Sequence, residues 1–129
     1  MTRRALIPKG AEAAVEALKL SPGIVSNGHV FLTGMTGNLD DGTMPGDAET
    51  QFRSAFDKIA AVLAEAGLTC DDIVEMTSYH VGIAEHFDLF SAIRAEFISP
   101  PYPAWTAVEV AGLRRPGALV EVKVVAAMP

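Results

Sequence analysis

One carboxylate of this sequence stands in the middle of an apolar strand pattern. Glu121 lies between Val120 and Val122, and the alternation continues through Lys123 and Val124. A carboxylate at such a position faces solvent, pairs with a cation such as Lys123, or lines a cavity that shifts its pKa. The strand pattern leaves these three alternatives open.

The histidines and the cysteine argue against metal and thiol chemistry. His29, His80 and His86 have no partner at a spacing of three or four residues and no cysteine cluster beside them, so the sequence predicts neither a metal nor a cofactor. Cys70 has acidic neighbours, which raise the pKa of a thiol and disfavour it as a nucleophile. His80 differs because it lies late in a predicted strand, before a loop, where site residues are common.

Motifs for covalent or phosphate chemistry are missing from the sequence. It contains no G-x-S-x-G elbow, and residues 34–37 (GMTG) lack the third glycine and the lysine of a phosphate loop. Covalent hydrolase chemistry is therefore disfavoured. Trp105, the only tryptophan, begins a predicted strand after a proline-rich segment, and it packs in a core or interface or forms a wall of a ligand pocket.

The composition describes one acidic, apolar-rich domain spanning residues 1–129. The net charge is −6 and the pI is near 4.9, a balance that disfavours nucleic acid as a partner. No apolar run is long enough to span a membrane, no secretory signal pattern is present, and a single cysteine suits a cytoplasmic location. Half of the residues are hydrophobic, which indicates that another subunit covers part of the surface.

The elements that position these residues follow from apolar periodicity and turn signals. The pattern predicts a helix that Asp47 caps and Gly67 ends, and a second helix from about residue 85 to the proline pair at 100 and 101. Asn27 and Gly28 predict a hairpin turn. A short helix at 11–19 and strands at 24–25, 30–33, 72–81, 104–110 and 119–126 complete the prediction. This order predicts an α+β fold whose two main helices cover one sheet face.

Over nearly its whole length the sequence resembles the YjgF/RidA family of small proteins. The matching segments, to which Thr77 is added, are residues 30–34 (VFLTG), 64–68 (AEAGL), 72–74 (DIV), 103–106 (PAWT), 108–110 (VEV) and 120–124 (VEVKV). The resemblance implies a chorismate-mutase-like fold with a mixed sheet, assembled as a homotrimer around a central β-barrel. It also implies that small molecules bind in three clefts at the subunit interfaces.

Members of the RidA type hydrolyse reactive enamines and imines, such as 2-aminoacrylate, to a keto acid and ammonia. Their arginine in a P-A-R-[ST] motif grips the substrate carboxylate with two hydrogen bonds. Here Trp105 occupies the arginine position, and an indole has one donor and no charge, so it cannot make that contact. Residues 100–108 (PPYPAWTAV) and 77–80 (TSYH) are closer to the YjgH-like branch, which lacks the arginine.

The resemblance also implies roles for individual side chains. Glu121 matches the glutamate that positions or activates water, and Thr33 with a backbone N–H near Gly34 would stabilise developing charge. Arg114 is a neighbouring cation that could replace the lost arginine. The remaining residues expected to bind substrate are Met35, Tyr79, His80, Phe87, Trp105 and Ala107.

Two functions of different classes follow from these residues. The first is a deaminase or hydrolase that acts on an imine, an enamine or a related small carbonyl compound without the usual arginine clamp. The alternative is a non-catalytic trimer that binds a small metabolite or a partner protein, because Trp105 and Met35 replace polar residues of the family. Ribonuclease activity, which has been attached to relatives, is disfavoured by the acidic composition.

Overall fold

A mixed sheet of seven strands is the framework of the protein. The computed structural model describes residues 3–129. The strands are β1 Arg4–Leu6, β2 Gly23–Ser26, β3 His29–Leu32, β4 Met35–Thr36, β5 Ile73–His80, β6 Ala104–Glu109 and β7 Val120–Ala127. The helices are α1 Glu12–Leu18, α2 Ala48–Ala64 and α3 Ile83–Ala95, and a 3₁₀ turn spans Cys70–Asp72. The order is β1-β2-β3-β7-β5-β6, with β4 also paired to β7; β5 and β6 run parallel, whereas the other pairs are antiparallel.

Both main helices pack on the same face of the sheet, as the apolar pattern predicts. Alternate residues of β7 point towards the helices because side chains of a strand alternate between its two faces. The core they form with α2 and α3 is fully buried and consists largely of Val120, Val122, Val124, Phe52, Phe56, Ile59, Leu63, Phe90 and Ile93. Burying each of the larger side chains contributes about 1.5–3 kcal/mol.

The opposite face of the sheet is left uncovered by α2 and α3. It carries Glu121 and Lys123 of β7, and also Phe31, which is 45% exposed, and Val108, which is 36% exposed. Exposed apolar side chains on a sheet face are typical of a surface that another chain covers. That another subunit covers this face stays a prediction.

Local signals in the sequence are confirmed where they need no tertiary information. Asp47 caps α2, and its side chain accepts a hydrogen bond from the Thr50 amide at 2.9 Å. Asn27 and Gly28 have φ values of 50° and 78°, as a tight hairpin turn requires.

No helix within residues 3–129 combines the length and the apolar character needed to cross a bilayer.

Three elements differ from the prediction. The helix α3 begins at Ile83, two residues before the predicted start, because a carboxylate oxygen of Glu109 in β6 accepts from the Ile83 amide at 3.1 Å. That cap comes from a distant strand, so local sequence does not show it. The strands β1 and β4 were not predicted, since three and two residues are too short to display a period.

The buried side-chain amide of Gln51 fastens two loops to α2. Gln51 is 1% exposed. Its Nε2 donates to the carbonyls of Pro45 at 2.8 Å and Gly117 at 3.0 Å, while its Oε1 accepts from the Leu119 amide at 2.8 Å. Both amide hydrogens are therefore used. These bonds fix the loop that leads into β7 against the helix.

Replacing this amide tests how far the loops depend on it. Gln51→Leu is expected to lower the free energy of unfolding by about 3 kcal/mol, because it leaves two carbonyls and one N–H without their partner. Urea unfolding followed by tryptophan fluorescence measures the change. Asp57→Ala, at an exposed position of the same helix, is the control and should stay within about 0.5 kcal/mol. A loss below about 1 kcal/mol for Gln51→Leu would contradict the assignment.

Candidate functional site

The Glu121 carboxylate lies against the backbone at Gly34. Glu121 is partly buried in β7, directly opposite Thr36 of β4 and Tyr79 of β5. Gly34 occupies the break between β3 and β4, and a Cβ there would stand 2.9 Å from Glu121 Cγ and Cδ and overlap a carboxylate oxygen. Only glycine therefore leaves the carboxylate in this position.

Glu121 and Gly34 line a cavity of about 410 Å³, to which Thr33 and Met35 also contribute. Apolar side chains from α1 and the residues after it, including Leu18 and Leu20, form another part of the wall. The remaining lining residues are Ala14, Pro22, Thr36, Asn38, Lys58, Arg114 and Arg115. The structure thus brings together four of the residues predicted for the site, and it adds Arg114, which the sequence indicated as a neighbouring cation.

The hydroxyl of Thr33 already has an acceptor. Thr33 Oγ1 donates to the Ser21 carbonyl at 2.7 Å, and the Thr33 amide donates to the Pro22 carbonyl at 3.0 Å. The hydroxyl therefore offers lone pairs to the cavity and no hydrogen, so it suits a ligand N–H better than the negative charge that the resemblance assigned to it.

Tyr79 belongs to the same side of the sheet as Glu121. The two residues face each other across the antiparallel pair of β5 and β7, where directly opposite side chains are neighbours. Tyr79 is partly buried. It therefore lies on the same sheet face as Glu121, but it is not part of the cavity lining.

The other predicted residues form a second group on the helix side of the sheet. Trp105 stacks on Phe87 with ring centres 5.5 Å apart and planes at 6°. Its Nε1 donates to Ser78 Oγ at 2.9 Å, and His80 Nε2 lies 2.8 Å from the same oxygen. Ala107 lies beside Ser78 in the parallel pair of β6 and β5. Within one chain, this group and the Glu121 side chain lie on opposite faces of the sheet.

His80 is an interior residue in this arrangement. It is 0% exposed, and burial lowers the pKa of its imidazole, so the ring is neutral at pH 7. Its Nδ1 has no hydrogen-bond partner within residues 3–129. The ring meets Phe90 edge to face with centroids 4.8 Å apart. These contacts assign His80 to the packing behind Trp105.

Sequence reasoning missed a guanidinium beside Trp105. Arg94 is 8% exposed, and its Cζ lies 3.8 Å from the centre of the Trp105 ring. Its Nε donates to Met76 Sδ at 3.3 Å. Arg94 forms no ion pair within residues 3–129. The sequence could have indicated a buried position for Arg94, because this residue directly follows Ile93 and lies four residues after Phe90 on the apolar stripe of α3.

The Cys70 thiol agrees with its sequence interpretation. Partial burial, together with the charges of Asp71 and Asp57, raises the pKa of the Cys70 thiol, as the acidic neighbours predicted. A raised thiol pKa lowers the thiolate fraction and hence the reactivity of the cysteine. Across residues 3–129 no three side chains of histidine, cysteine, aspartate or glutamate cluster closely enough to hold a metal ion.

Restoring an arginine at residue 105 is expected to destabilise the fold. Trp105→Arg removes the stack on Phe87 and the bond to Ser78, and it places a second guanidinium beside Arg94, so the free energy of unfolding should fall by about 2–4 kcal/mol. Urea unfolding followed by circular dichroism measures this loss. Trp105→Phe, which keeps an aromatic ring, should lose less, and adding Arg94→Met to Trp105→Arg should recover part of it. Equal stability of the two single variants would contradict the like-charge argument.

Comparisons with known proteins agree on one family. The family model described as Endoribonuclease L-PSP matches residues 11–128. The RutC family protein YjgH of Escherichia coli K12 is 39% identical over 128 residues, which cover 98% of this chain and 96% of that protein.

Solved structures give the same result. A structure of protein YjgH superposes with a TM-score of 0.90 at 38% identity and covers 100% of this chain and 98% of its own. The structure of YyfA, a Rid-family protein of unknown function from Yersinia pestis, superposes with a TM-score of 0.88 at 32% identity and covers 98% and 100% of the two chains. The chain therefore belongs to the Endoribonuclease L-PSP family, also called the YjgF/RidA family, and is YjgH-like within it.

Proposed function

We propose that this protein hydrolyses the C=N bond of a small imine, or of an enamine after its conversion to the imine. The observation that carries the proposal is the Glu121 carboxylate held against Gly34 in a cavity of about 410 Å³. A partly buried carboxylate beside a space for a small molecule is suited to general-base work on water. The family resemblance supports the same role for Glu121.

The reaction can be written with the groups of this cavity. Glu121 takes a proton from water while the water oxygen bonds to the imine carbon and the C=N π electrons move to nitrogen. Glu121 returns that proton to the nitrogen, which gives the neutral carbinolamine. Glu121 then takes the hydroxyl proton of the carbinolamine and passes it to the nitrogen, so that the C–N bond breaks, the C=O bond forms and ammonia leaves. One water is consumed, and one carbonyl compound and one ammonia are released. An enamine first takes a proton at its β-carbon.

Thr33 and Gly34 would act on different atoms of the reacting centre. Because the Thr33 hydroxyl donates to Ser21, its lone pairs can accept an N–H of the imine or of the carbinolamine. The Gly34 amide can donate to the developing oxygen. Tyr79 and Met35 would border the substrate. Of these two adjacent residues, Thr33 would accept a hydrogen bond from the substrate and Gly34 would donate one to it.

We propose further that three copies assemble through the uncovered sheet face. The exposed Phe31 and Val108 on that face support an interface there. In such a homotrimer with a central barrel, the group around Trp105 of one copy would lie near the Glu121 cavity of the next, which would unite the residues that one chain keeps apart. His80 and Phe87 would then shape the cleft from behind Trp105, and Ala107 would border it.

A non-catalytic binding role is the second candidate. It is favoured by the stacked pair of Trp105 and Phe87, which offers a ligand apolar contact and no ionisable group. The name of the family mentions an endoribonuclease, but a net charge of −6 disfavours the phosphate contacts that RNA binding requires. Saturable ligand binding without product would support the binding role over hydrolysis.

The Glu121 assignment is tested by ammonia release. A panel of imines and enamines that includes 2-aminoacrylate should be hydrolysed faster than in buffer, and Glu121→Gln should reduce the rate by about 10²–10⁴-fold because it removes the base. A coupled ammonia assay measures both rates. Glu65→Gln, which changes an exposed carboxylate directly after α2, is the charge-matched control. No rate above buffer, or an undiminished rate in Glu121→Gln, would sink the proposal.

The contact between Gly34 and Glu121 gives a separate test. In Gly34→Ala the new Cβ displaces the flexible carboxylate, so turnover should fall at least about tenfold while stability changes by less than about 1 kcal/mol. Kinetics and urea unfolding measure the two effects.

Gly37→Ala is the contrasting variant. Its Cβ would stand 2.5 Å from Gln51 Cα. Because this neighbour is helix backbone and not a flexible side chain, Gly37→Ala should lower the free energy of unfolding more than Gly34→Ala does. Unchanged turnover in Gly34→Ala would mean that the position of the carboxylate does not matter.

The assembly is tested by light scattering during size-exclusion chromatography. The mass should be three times 13.6 kDa. Phe31→Lys, which puts a charge on the uncovered face, should shift the protein towards monomer, because the contacting surface would have to bury that charge. Leu89→Lys, an exposed apolar position on α3, should leave the mass unchanged. A monomeric wild type would refute the trimer.

A further inference from the structure

Lys58 of α2 places an amine in the wall of the Glu121 cavity. Its side chain is partly buried, whereas the other three lysines of the chain are exposed. Its Nζ donates to Asn38 Oδ1 at 2.6 Å, and Asn38 is itself held by Thr36, whose Oγ1 donates to the same oxygen at 2.9 Å. Lys58 forms no ion pair within residues 3–129. The structure therefore fixes one amine beside a space of about 410 Å³ without a carboxylate that holds its proton.

Burial and a neighbouring guanidinium both favour the neutral form of this amine. The pKa of Lys58 falls to about 8, because burial disfavours the ammonium and Arg115 carries a like charge, while Asp40 acts in the opposite direction. Roughly one tenth of such an amine is unprotonated at pH 7, against roughly one part in 2,500 for an ordinary lysine. A desolvated lysine next to another cation is the kind of amine that attacks carbonyl groups.

The surroundings of Lys58 suit a small carbonyl compound. One of the two hydrogens of the neutral amine occupies the Asn38 carbonyl, which leaves the nitrogen lone pair free to bond to a carbon atom in the cavity. Leu18, Leu20 and Met35 form an apolar part of the wall, against which a short alkyl chain can pack. An aldehyde has only one such chain on its carbonyl carbon, so a partly buried amine reaches that carbon more easily than the carbon of a ketone.

We propose that Lys58 forms a Schiff base with a short-chain aldehyde in the Glu121 cavity. The amine lone pair bonds to the carbonyl carbon while the C=O π electrons move to oxygen, and Glu121 transfers a proton from nitrogen to that oxygen, which gives the neutral carbinolamine. Glu121 then takes the remaining N–H proton and passes it to the hydroxyl, so that water leaves and the C=N bond forms. One aldehyde and one amine are consumed, and one imine and one water are formed. This covalent site stands on Lys58 and its surroundings and does not require the proposed hydrolysis.

Reductive trapping with propanal and cyanoborohydride at pH 7 tests the site, and peptide mass spectrometry locates the propyl groups that remain on lysines. Lys58 should be labelled at least about tenfold faster than Lys19, an exposed lysine that pairs with Glu16, because more of its amine is unprotonated. This comparison is made within one digest of the wild type and needs no variant. Lys58→Arg, which keeps the charge, should remove the fast label, whereas the matched control Lys19→Arg should retain it.

The pH profile of labelling tests the charge argument. Arg115→Gln should raise the pH at which Lys58 labelling is half maximal, because loss of the like charge favours the ammonium. Arg4→Gln, an exposed position on β1 with the same change in charge, should leave that pH unchanged. At pH 9, where most of the amine is neutral, Glu121→Gln should slow labelling at least about tenfold because the proton carrier is gone. Besides Arg115, the charged residues that line the openings around Lys58 are Lys9, Asp40, Asp41, Arg53, Asp57, Arg114 and Glu121.

The outcomes separate this site from the proposed function. Labelling of Lys58 no faster than that of Lys19 overturns the Schiff base, and an unchanged pH profile in Arg115→Gln overturns the argument from charge. Undiminished labelling in Glu121→Gln at pH 9 overturns the role of Glu121 as proton carrier. Ammonia release from the imine panel without preferential labelling of Lys58 supports the function and refutes the site. Preferential labelling of Lys58 without turnover of any imine supports the site and refutes the function.

Discussion

The loops and strands around the Glu121 cavity depend on the buried side-chain amide of Gln51. Through its side chain, α2 holds the loop at Pro45 and the loop that ends at Leu119, and the backbone of Gln51 packs so closely on Gly37 that no Cβ fits between them. A buried amide with all its hydrogens bonded specifies geometry more sharply than apolar contact does. The strand β7, which carries Glu121, starts directly after the loop that this amide fixes. The strand β4, which contains Met35, ends beside Gly37.

Elements governed by local chemistry could be predicted from the sequence. The cap at Asp47, the hairpin at Asn27 and Gly28, and the apolar stripe of α2 depend on neighbours within a few residues, so their patterns are visible in a linear chain. The start of α3 could not be predicted, because its cap is Glu109 from another strand. The same limit applies to β4, which exists only through pairing with β7.

In the candidate site, too, some features could be predicted from the sequence and others depend on the tertiary fold. Glu121, Thr33, Gly34 and Met35 were predicted as neighbours and share one cavity. That Trp105 and His80 lie on the other face follows from strand parity across β5 and β6, which a resemblance does not show. Lys58 was missed because a lysine on an amphipathic helix usually faces water, and only the tertiary fold places it beside a loop that lies far away in the sequence.

The contacts of Trp105 show what this position does in the structure. Trp105 is held by Phe87, Ser78 and the Arg94 guanidinium, so this position serves packing, and any cation there would meet Arg94. A cation that contacts a charged ligand must then come from another part of the chain. The cavity of Glu121 is the place where the described chain gathers unpaired cations next to a carboxylate that can accept a proton. Within residues 3–129 the Glu121 carboxylate forms no ion pair with Lys58, Arg114 or Arg115, so the repulsion between these cations is offset only in part by the carboxylate in the same cavity.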